Sequence, residues 1–256
     1  MELDLPTSAL DHLELSTSFP QPPEADGSDS LSVVSKVDLR SWYYILAEIA
    51  VRHILNRLLR FQTRFDSNLD ERRILQLFKD ADLFTEQLGE WHRLLPPMFH
   101  FEKPKGDTLG SESDDMRFVL RYRFMQCRDL IARPFLKICF DEFLHKLSLP
   151  QQQNVLQRAS VCVDMCMLKM SQVRLEWHQG TWYMLRTQAA NVAILLAVAL
   201  TQHETHATVA QQLRLPEGWK DRVSQVMGKI APFWTDHDDR LAHIRLALMR
   251  GLAAVG

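Results

Sequence analysis

Two aspartate pairs in the sequence have the residue types that magnesium chemistry requires. They open the stretches DDMRF at Asp114 and DDRLA at Asp238. An aspartate-rich magnesium site on a helix needs a third carboxylate, in the pattern Asp-Asp-x-x-Asp, and neither stretch supplies it. We therefore interpret both pairs as carboxylates at helix N-termini, where the helix dipole favours negative charge. The stretch HDD at His237 likewise lacks flanking metal ligands.

Histidine and cysteine pairs are the other candidate metal ligands. HETH, which begins at His203, has two histidines three residues apart, and Cys162 and Cys166 are four residues apart. Either spacing places the pair on one face of a helix, but tetrahedral zinc needs two further ligands that neither neighbourhood supplies. Cys127 and Cys139 complete a set without disulfide-framework spacing. We expect no metal and no cofactor, and interpret the cysteines as small buried residues in a reducing compartment.

Motifs for enzymatic chemistry are absent from the sequence. It contains no Gly-rich phosphate loop and no Gly-x-Ser-x-Gly or Ser-x-x-Lys nucleophile motif. We therefore expect no catalytic residues and no enzymatic activity. The alternative that stays open is an α-helical enzyme or small-molecule-binding protein with an aromatic-lined pocket. The candidate pocket residues, which core packing would also explain, are Trp42, Trp91, Trp177 and Trp182.

Arginines that could contact phosphates are interleaved with acids. The chain of 256 residues has a formal net charge of −2 and a pI of about 6.6, so it has no general attraction for nucleic acid or an anionic membrane. A solvated or salt-bridged face is the simpler interpretation of these arginines, and we expect no DNA-contacting residues. The arginines are Arg57, Arg60, Arg64, Arg72 and Arg73, and the acids among them are Glu48, Asp66, Asp70 and Glu71.

Two regions of different composition divide the chain. Residues 1–37 are rich in Pro, Ser and acids, with no Lys or Arg before Lys36. Such a segment cannot bury enough apolar surface to fold, and we predict a disordered acidic and Pro-rich linker. Its alternation of acidic and aliphatic residues would also fit a disordered activation segment. Residues 38–256 form the predicted helical domain.

Apolar residues from Asp38 onward recur at helical spacing, without the alternation of strands. About seven helical segments predict an all-α fold, an irregular bundle of long helices. We expect Pro134 to kink or break the third helix, and the apolar run Ala189–Leu200 is shorter than the ~20 residues of a membrane span. The clearest stripe, which Pro96 and Pro97 end, is Ile74, Leu77, Phe78, Ala81, Phe84, Leu88, Trp91 and Leu95. Further predicted boundaries are Pro150, Gly180, Thr181, Pro216 and Thr235.

The first helix carries charges that at first suggest a site. Glu48 precedes Arg52 by four residues, the favourable order for an ion pair worth about 0.3 kcal/mol. One stripe of the helix is apolar up to Ile49 and basic from His53 onward. We therefore expect a helix that begins surrounded by the bundle and emerges about midway, with His53 partly buried at the exit.

Four stretches occur in a characteristic order: WYYILAEIAVRHILNR (42–57), LGEWHRLLPP (88–97), LRYRFMQCRDLIARPFL (120–136) and HQGTWYMLRTQAANVAILLA (178–197). In order and spacing they resemble the C-terminal part of the helical regulatory region, or middle homology region, of fungal zinc-cluster transcription factors. The N-terminal LPTSALDHLELSTSFPQPPE resembles the Pro-rich connector of those proteins. The sequence departs from the family in two ways. The zinc cluster and the upstream half of the regulatory region are missing. Arg133 is preceded by Ile131 and Ala132, where the family more often has an aromatic residue.

The resemblance implies a non-catalytic accessory domain of a transcriptional regulator, without its own DNA-binding module. Its partners would be other proteins or the DNA-binding part of the same regulator, with no direct contact to nucleic acid or membrane. A homodimeric helical scaffold stays open as an alternative. The resemblance implies a nuclear location, although the sequence has no Lys/Arg-rich import signal, and the cytoplasm is the other possibility.

Overall fold

The computed structural model describes residues 21–22, 33–63, 70–104, 112–173, 181–202, 212–233 and 239–255. Within these ranges the chain forms seven α-helices and no β-strand, so the predicted all-α bundle is confirmed. Most of the segment predicted to be disordered, residues 1–37, lies outside the described residues. The helices are α1 (Val33–Thr63), α2 (Glu71–Arg93), α3 (Asp115–Cys139), α4 (Leu149–Ser171), α5 (Thr181–Gln202), α6 (Trp219–Ile230) and α7 (Asp239–Ala254).

Helices α3 and α4 form the antiparallel centre of the bundle. Arg121 near the start of α3 contacts Gln172 just after α4, whereas Phe135 near the end of α3 lies under Arg158 in the first half of α4. Helices α1 and α2 pack on α3, helices α5 and α6 pack on α4, and α7 packs on α5. One continuous apolar core joins residues from α1 through α7, so every described helix contributes to it.

Helix α2 has the amphipathic pattern that the sequence predicts. Its buried residues are Ile74, Leu77, Ala81, Phe84, Leu88 and Trp91, all from the predicted stripe. Asp70 caps the N-terminus, because its carboxylate accepts the Arg73 backbone N–H at 2.7 Å. The helix ends at Arg93, before the two prolines.

Pro134 lies inside a helix that continues to Cys139, so the chain does not break there. Proline has no backbone N–H, and the carbonyl of Leu130 therefore lacks its normal donor four residues later. The Gln62 side chain of α1 donates to that carbonyl oxygen from Nε2 at 2.9 Å. A side chain from a neighbouring helix thus replaces the hydrogen bond that proline removes.

The prediction for α1 was wrong in its direction of burial. Its most buried residues lie in the second half, where Val51 and Leu58 have no exposed surface, while Ile45 in the first half is 45% exposed. The second half packs an aromatic and aliphatic face against its neighbours, with Phe61 on Phe84 of α2 and Gln62 reaching Leu130 of α3. The start of the helix instead meets α3 through the ion pair of Arg40 with Asp114. His53 is half-buried, as expected, and the helix begins at Val33, five residues before the predicted boundary.

Several helix boundaries differ from those predicted. Pro150 lies in the first turn of α4, as expected, beside Ser148, whose N–H donates to the Gln151 side chain at 2.9 Å. Helix α4 ends at Ser171, well before Gly180, and α6 begins at Trp219, three residues after Pro216. Proline and glycine indicate the region where a helix begins or ends, but packing and capping determine the exact terminal residue.

Helix α5 carries the most apolar sequence of the bundle. By length and composition alone, its segment Tyr183–Gln202 would be sufficient to cross a membrane, and 44% of that window is buried inside the fold. The apolar segment is thus longer than the run identified in the sequence. Buried core helices meet the same criterion, and α5 contributes Val192, Leu195 and Val198 to the core.

Candidate functional site

A buried group of ionised and thiol side chains lies between α3 and α4, and we call it the Asp129 cluster: Asp129, Arg133, Cys162, Cys166 and Lys169. Helix spacing positions the members, since Asp129 and Arg133 are one turn apart on α3, and the other three follow one face of α4. Asp129 Oδ2 accepts hydrogen bonds from Lys169 Nζ at 2.5 Å and from an Arg133 Nη2 at 2.7 Å, and Oδ1 accepts the Cys162 thiol at 3.1 Å. The Asp129 and Lys169 side chains have no exposed surface.

The charges of the Asp129 cluster stabilise one another against the cost of burial. Burial opposes ionisation of Asp129, but the charges and hydrogen bonds of Lys169 and Arg133 outweigh it and hold the pKa of the carboxyl well below its ordinary value. Burial likewise opposes the charge of Arg133, and Asp129 outweighs it and raises the pKa of the guanidinium. Asp129 and Arg133 are therefore both charged near neutral pH.

Three of the four buried thiols are poor nucleophiles. A hydrogen bond with Cys166, and then burial, raise the pKa of Cys162. Burial raises the pKa of Cys127 and of Cys139 to about 12. Because the thiolate is the reactive form, these three cysteines are chemically quiet at neutral pH.

The donor atoms of Asp129, Cys162 and Cys166 lie within 4.8 Å of one another, a spacing that three metal ligands would have. Two observations argue that the set fits a metal poorly. The carboxylate is already bound by Lys169 and Arg133, whose positive charges oppose a further cation. The raised pKa of Cys162 also disfavours the thiolate that zinc would bind.

A second polar group, which we call the Arg123 network, joins α1, α3 and α5. Glu48 Oε1 accepts hydrogen bonds from Arg52 Nε at 2.8 Å and from Arg123 Nε at 3.1 Å. The pair predicted between Glu48 and Arg52 is confirmed, but Glu48 is buried and serves α3 as well. Arg123 Nη1 donates to Gln126 Oε1 at 3.2 Å, and Gln126 donates to the Tyr183 hydroxyl of α5.

Two of the four candidate pocket tryptophans have described side chains. Trp91 is buried, and its indole N–H donates to the Ala47 carbonyl at 3.0 Å. Trp42 is half-buried, with its ring edge-on to Tyr43 at a centroid distance of 4.9 Å. Neither side chain lines the cavities described below. The side chains of Trp177 and Trp182 lie outside the described residues.

The acidic pair at Asp114 has the role that the sequence predicts. Asp114 is the N-cap of α3, where its carboxylate accepts the Arg117 backbone N–H at 3.0 Å, and it also pairs with Arg40 of α1. The hydrogen bond from the Arg117 backbone is the main reason that the pKa of Asp114 is lowered, and Arg40 adds to it. The histidines of HETH and HDD lie outside the described residues.

The basic residues of α1 and α2 form an exposed face. Arg57, Arg60, Arg72 and Arg73 are exposed, whereas Arg64 lies outside the described residues. Arg57 donates to Gln87 at 2.9 Å, and Arg73 lies 4.0 Å from its ion-pair partner Asp70. These contacts agree with the predicted solvated face.

Three cavities differ in lining and size. One of about 540 Å³ lies between α4 and α6, beside Glu217, Asp221 and Arg222, and is mostly polar. A second, of about 40 Å³, lies beside Arg133 and Lys169 and has room for little more than a water molecule. The third, of about 370 Å³, we call the Arg128 groove. It lies between α2, α3 and α4, and its walls include Leu88, Phe124, Arg128, Ile131, Phe135 and Arg158.

Of the Asp129 cluster, the sequence singled out only the Cys162 and Cys166 pair, and it identified neither the three charged members as a group nor the Arg128 groove. Asp129 and Arg133 have the spacing of a helical ion pair inside an otherwise apolar stretch, and that local signal was available. Lys169 lies forty positions from Asp129, so only the packing of α4 on α3 brings the two together. Arg128 and Arg158 likewise come from different helices.

In comparisons with protein-family models, with curated proteins and with solved structures, the chain matched none.

Proposed function

We propose that this chain is a non-catalytic regulatory and interaction domain of the kind found in fungal zinc-cluster transcription factors. In this proposal it acts in the nucleus and controls a DNA-binding module that resides in another protein or another part of the same regulator. Its own surface contacts protein partners. It neither reads DNA nor spans a membrane.

The observation that carries the proposal is that the four resembling stretches belong to one connected structural unit. The first stretch is joined to the second by the hydrogen bond from Trp91 to Ala47. It is joined to the third by the ion pair of Arg123 with Glu48. The third is joined to the fourth by the hydrogen bond from Gln126 to Tyr183. Residues of the four resembling stretches thus contact one another across α1, α2, α3 and α5.

The internal use of charge also supports a regulatory rather than a catalytic role. Asp129, Lys169 and Glu48 are buried and bound to partners within the bundle. Three thiols are held in the neutral form by burial and hydrogen bonding. Side chains arranged in this way stabilise helix packing, whereas a catalytic group must face the substrate.

A reporter assay tests the proposal. The chain would be fused to a heterologous DNA-binding domain and compared with that domain alone and with a fusion to an unrelated helical domain of similar size. We expect the fusion to raise or lower transcription by at least threefold. We also expect the isolated chain to show no sequence-specific DNA binding at sub-micromolar concentration.

Two arginine variants test whether the transcriptional effect depends on the Arg123 network. Arg123→Gln removes one of the two cations bound to buried Glu48, whereas Arg250→Gln changes an exposed arginine of α7. At equal protein abundance we expect the first to reduce the transcriptional effect and the second to leave it unchanged. A fusion that behaves like the unrelated helical domain, or sequence-specific DNA binding by the isolated chain, would overturn the proposal.

A further inference from the structure

We propose that the Arg128 groove binds a small amphipathic monocarboxylate, with the apolar body of the ligand among the aromatic and aliphatic side chains and its carboxylate at Arg128. The site differs from the tryptophan pocket considered from the sequence, and it does not depend on whether the chain regulates transcription. Ligand binding would be a property of the bundle separate from transcriptional regulation.

The size and lining of the groove fit a small organic molecule. Its volume of about 370 Å³ lies within the 300–1,000 Å³ typical of ligand pockets. Phe124 and Phe135 are buried on α3, Leu88 is buried on α2, and all three line the groove. Phe135 has no exposed surface, and Arg158 lies over its ring, so the apolar surface that a ligand could contact comes from the edges of the other lining residues, including half-buried Val161 of α4.

The charged residues that line the groove are all basic. Lys103, Arg128 and Arg158 line the groove, and no acidic side chain is among the described lining residues. Arg158 is occupied by its own partners, because it donates to Asp82 at 2.8 Å and lies over the Phe135 ring at 5.3 Å. Arg128 and Lys103 are therefore the cations that would meet a ligand.

Arg128 is the cation best placed to select an anion. The side chain is half-buried, and burial lowers the pKa of its guanidinium, an effect that the charge of Asp164 only partly opposes. A guanidinium that has lost part of its hydration gains more from a ligand carboxylate than a solvated one does, and its fork of donors matches the two carboxylate oxygens.

Gly89 keeps one wall of the groove open. It lies inside α2, where glycine is less favourable than alanine, and it lines the groove beside Leu88. A Cβ placed on it would meet no atom within 4 Å, so a larger side chain would extend into free space rather than into the fold. Gly228 of α6 also has no atom within 4 Å of an added Cβ, and it lies outside the groove.

Calorimetric titration of the full chain with sodium decanoate, below its micelle concentration, tests the inference. The uncharged analogue 1-decanol isolates the contribution of the carboxylate. Arg128→Gln removes the cation, and Gly89→Leu fills the groove without touching the charge. Arg250→Gln and Gly228→Leu are the matched controls. Circular dichroism before titration establishes that each variant is folded.

We expect decanoate to bind the chain, decanol to bind at least tenfold more weakly, and Arg128→Gln to weaken decanoate binding at least tenfold. Gly89→Leu should abolish binding, and both controls should bind as the unmodified chain does. The inference is overturned if decanoate does not bind, if decanol binds equally well, or if the two groove variants retain full affinity. Because binding is measured directly, a negative reporter result would not affect this outcome.

Discussion

Asp129 is the residue whose surroundings matter most for stability. Its carboxylate is fully buried between α3 and α4, where an ion that lost its partners would be very costly. Lys169 comes from the opposite helix and Arg133 from the same one, so the ion group joins α4 to α3 at a single register. We expect this group to specify how the two central helices align.

Replacing Asp129 with Asn should destabilise the protein by about 3–5 kcal/mol, because Lys169 would stay buried without its anion. Urea unfolding followed by circular dichroism measures the change. Asp82→Asn is the control, since Asp82 pairs with Arg158 while its own side chain is 65% exposed, and such pairs contribute roughly 0–1 kcal/mol. A loss below about 1 kcal/mol for Asp129→Asn would contradict this view of the cluster.

The pH dependence of stability provides a separate test of Asp129. Its pKa is lower in the folded chain than in the unfolded one, so the carboxylate stabilises the fold above the unfolded pKa of about 4. That contribution is lost as the pH falls below 4 toward the folded-state pKa. We expect the stability difference between the unmodified chain and Asp129→Asn to be constant from pH 5 to 7 and to shrink below pH 4. A stability difference that grows on acidification would show that folding raises the pKa of Asp129 instead of lowering it.

At the scale of elements, α3 stays continuous through Pro134 because α1 supplies a donor. The carbonyl of Leu130 receives the Gln62 amide, so the helix gains in this contact what proline removes. The Gln62 side chain also fixes α1 against α3 one helical turn beyond Gln126 of the Arg123 network.

Gln62→Leu should therefore cost about 1–3 kcal/mol, since it leaves the Leu130 carbonyl without a donor. In a chain that already carries Pro134→Ala, the restored backbone N–H can serve that carbonyl, and the same replacement should cost roughly 0–1 kcal/mol. Urea unfolding of the two single variants and the double variant measures the coupling. Equal costs in both backgrounds would rule out the proposed substitution of donors.

At the scale of the whole molecule, the described helices share one apolar core. Core residues extend from Ala47 in α1 to Leu248 in α7, without a division into separate apolar cores for each half of the chain. A fold of this kind is expected to open as a unit, because no helix can leave without exposing apolar surface of its neighbours.

We expect a single unfolding transition, with tryptophan fluorescence and far-ultraviolet circular dichroism giving the same midpoint. Leu248→Ala in the last helix should shift both probes together, at a cost of about 2–5 kcal/mol for a buried leucine. Leu246→Ala, two residues earlier in the same helix, replaces an exposed leucine; it is the control and should change little. Two separate transitions in Leu248→Ala would show that α7 unfolds independently.

The helical class, the buried stripe of α2 and the capping role of Asp114 could be predicted from local sequence patterns. These properties depend on residues three or four positions apart, so a short stretch of sequence contains both the helical periodicity and the capping residue. Only the tertiary structure decided which end of α1 is buried, and that Gln62 serves Leu130. It also decided that Lys169 neutralises Asp129, and that Gly89 and Arg128 share a groove. A stripe says which face of a helix is apolar, but the neighbour that covers the face is chosen by packing among all the helices.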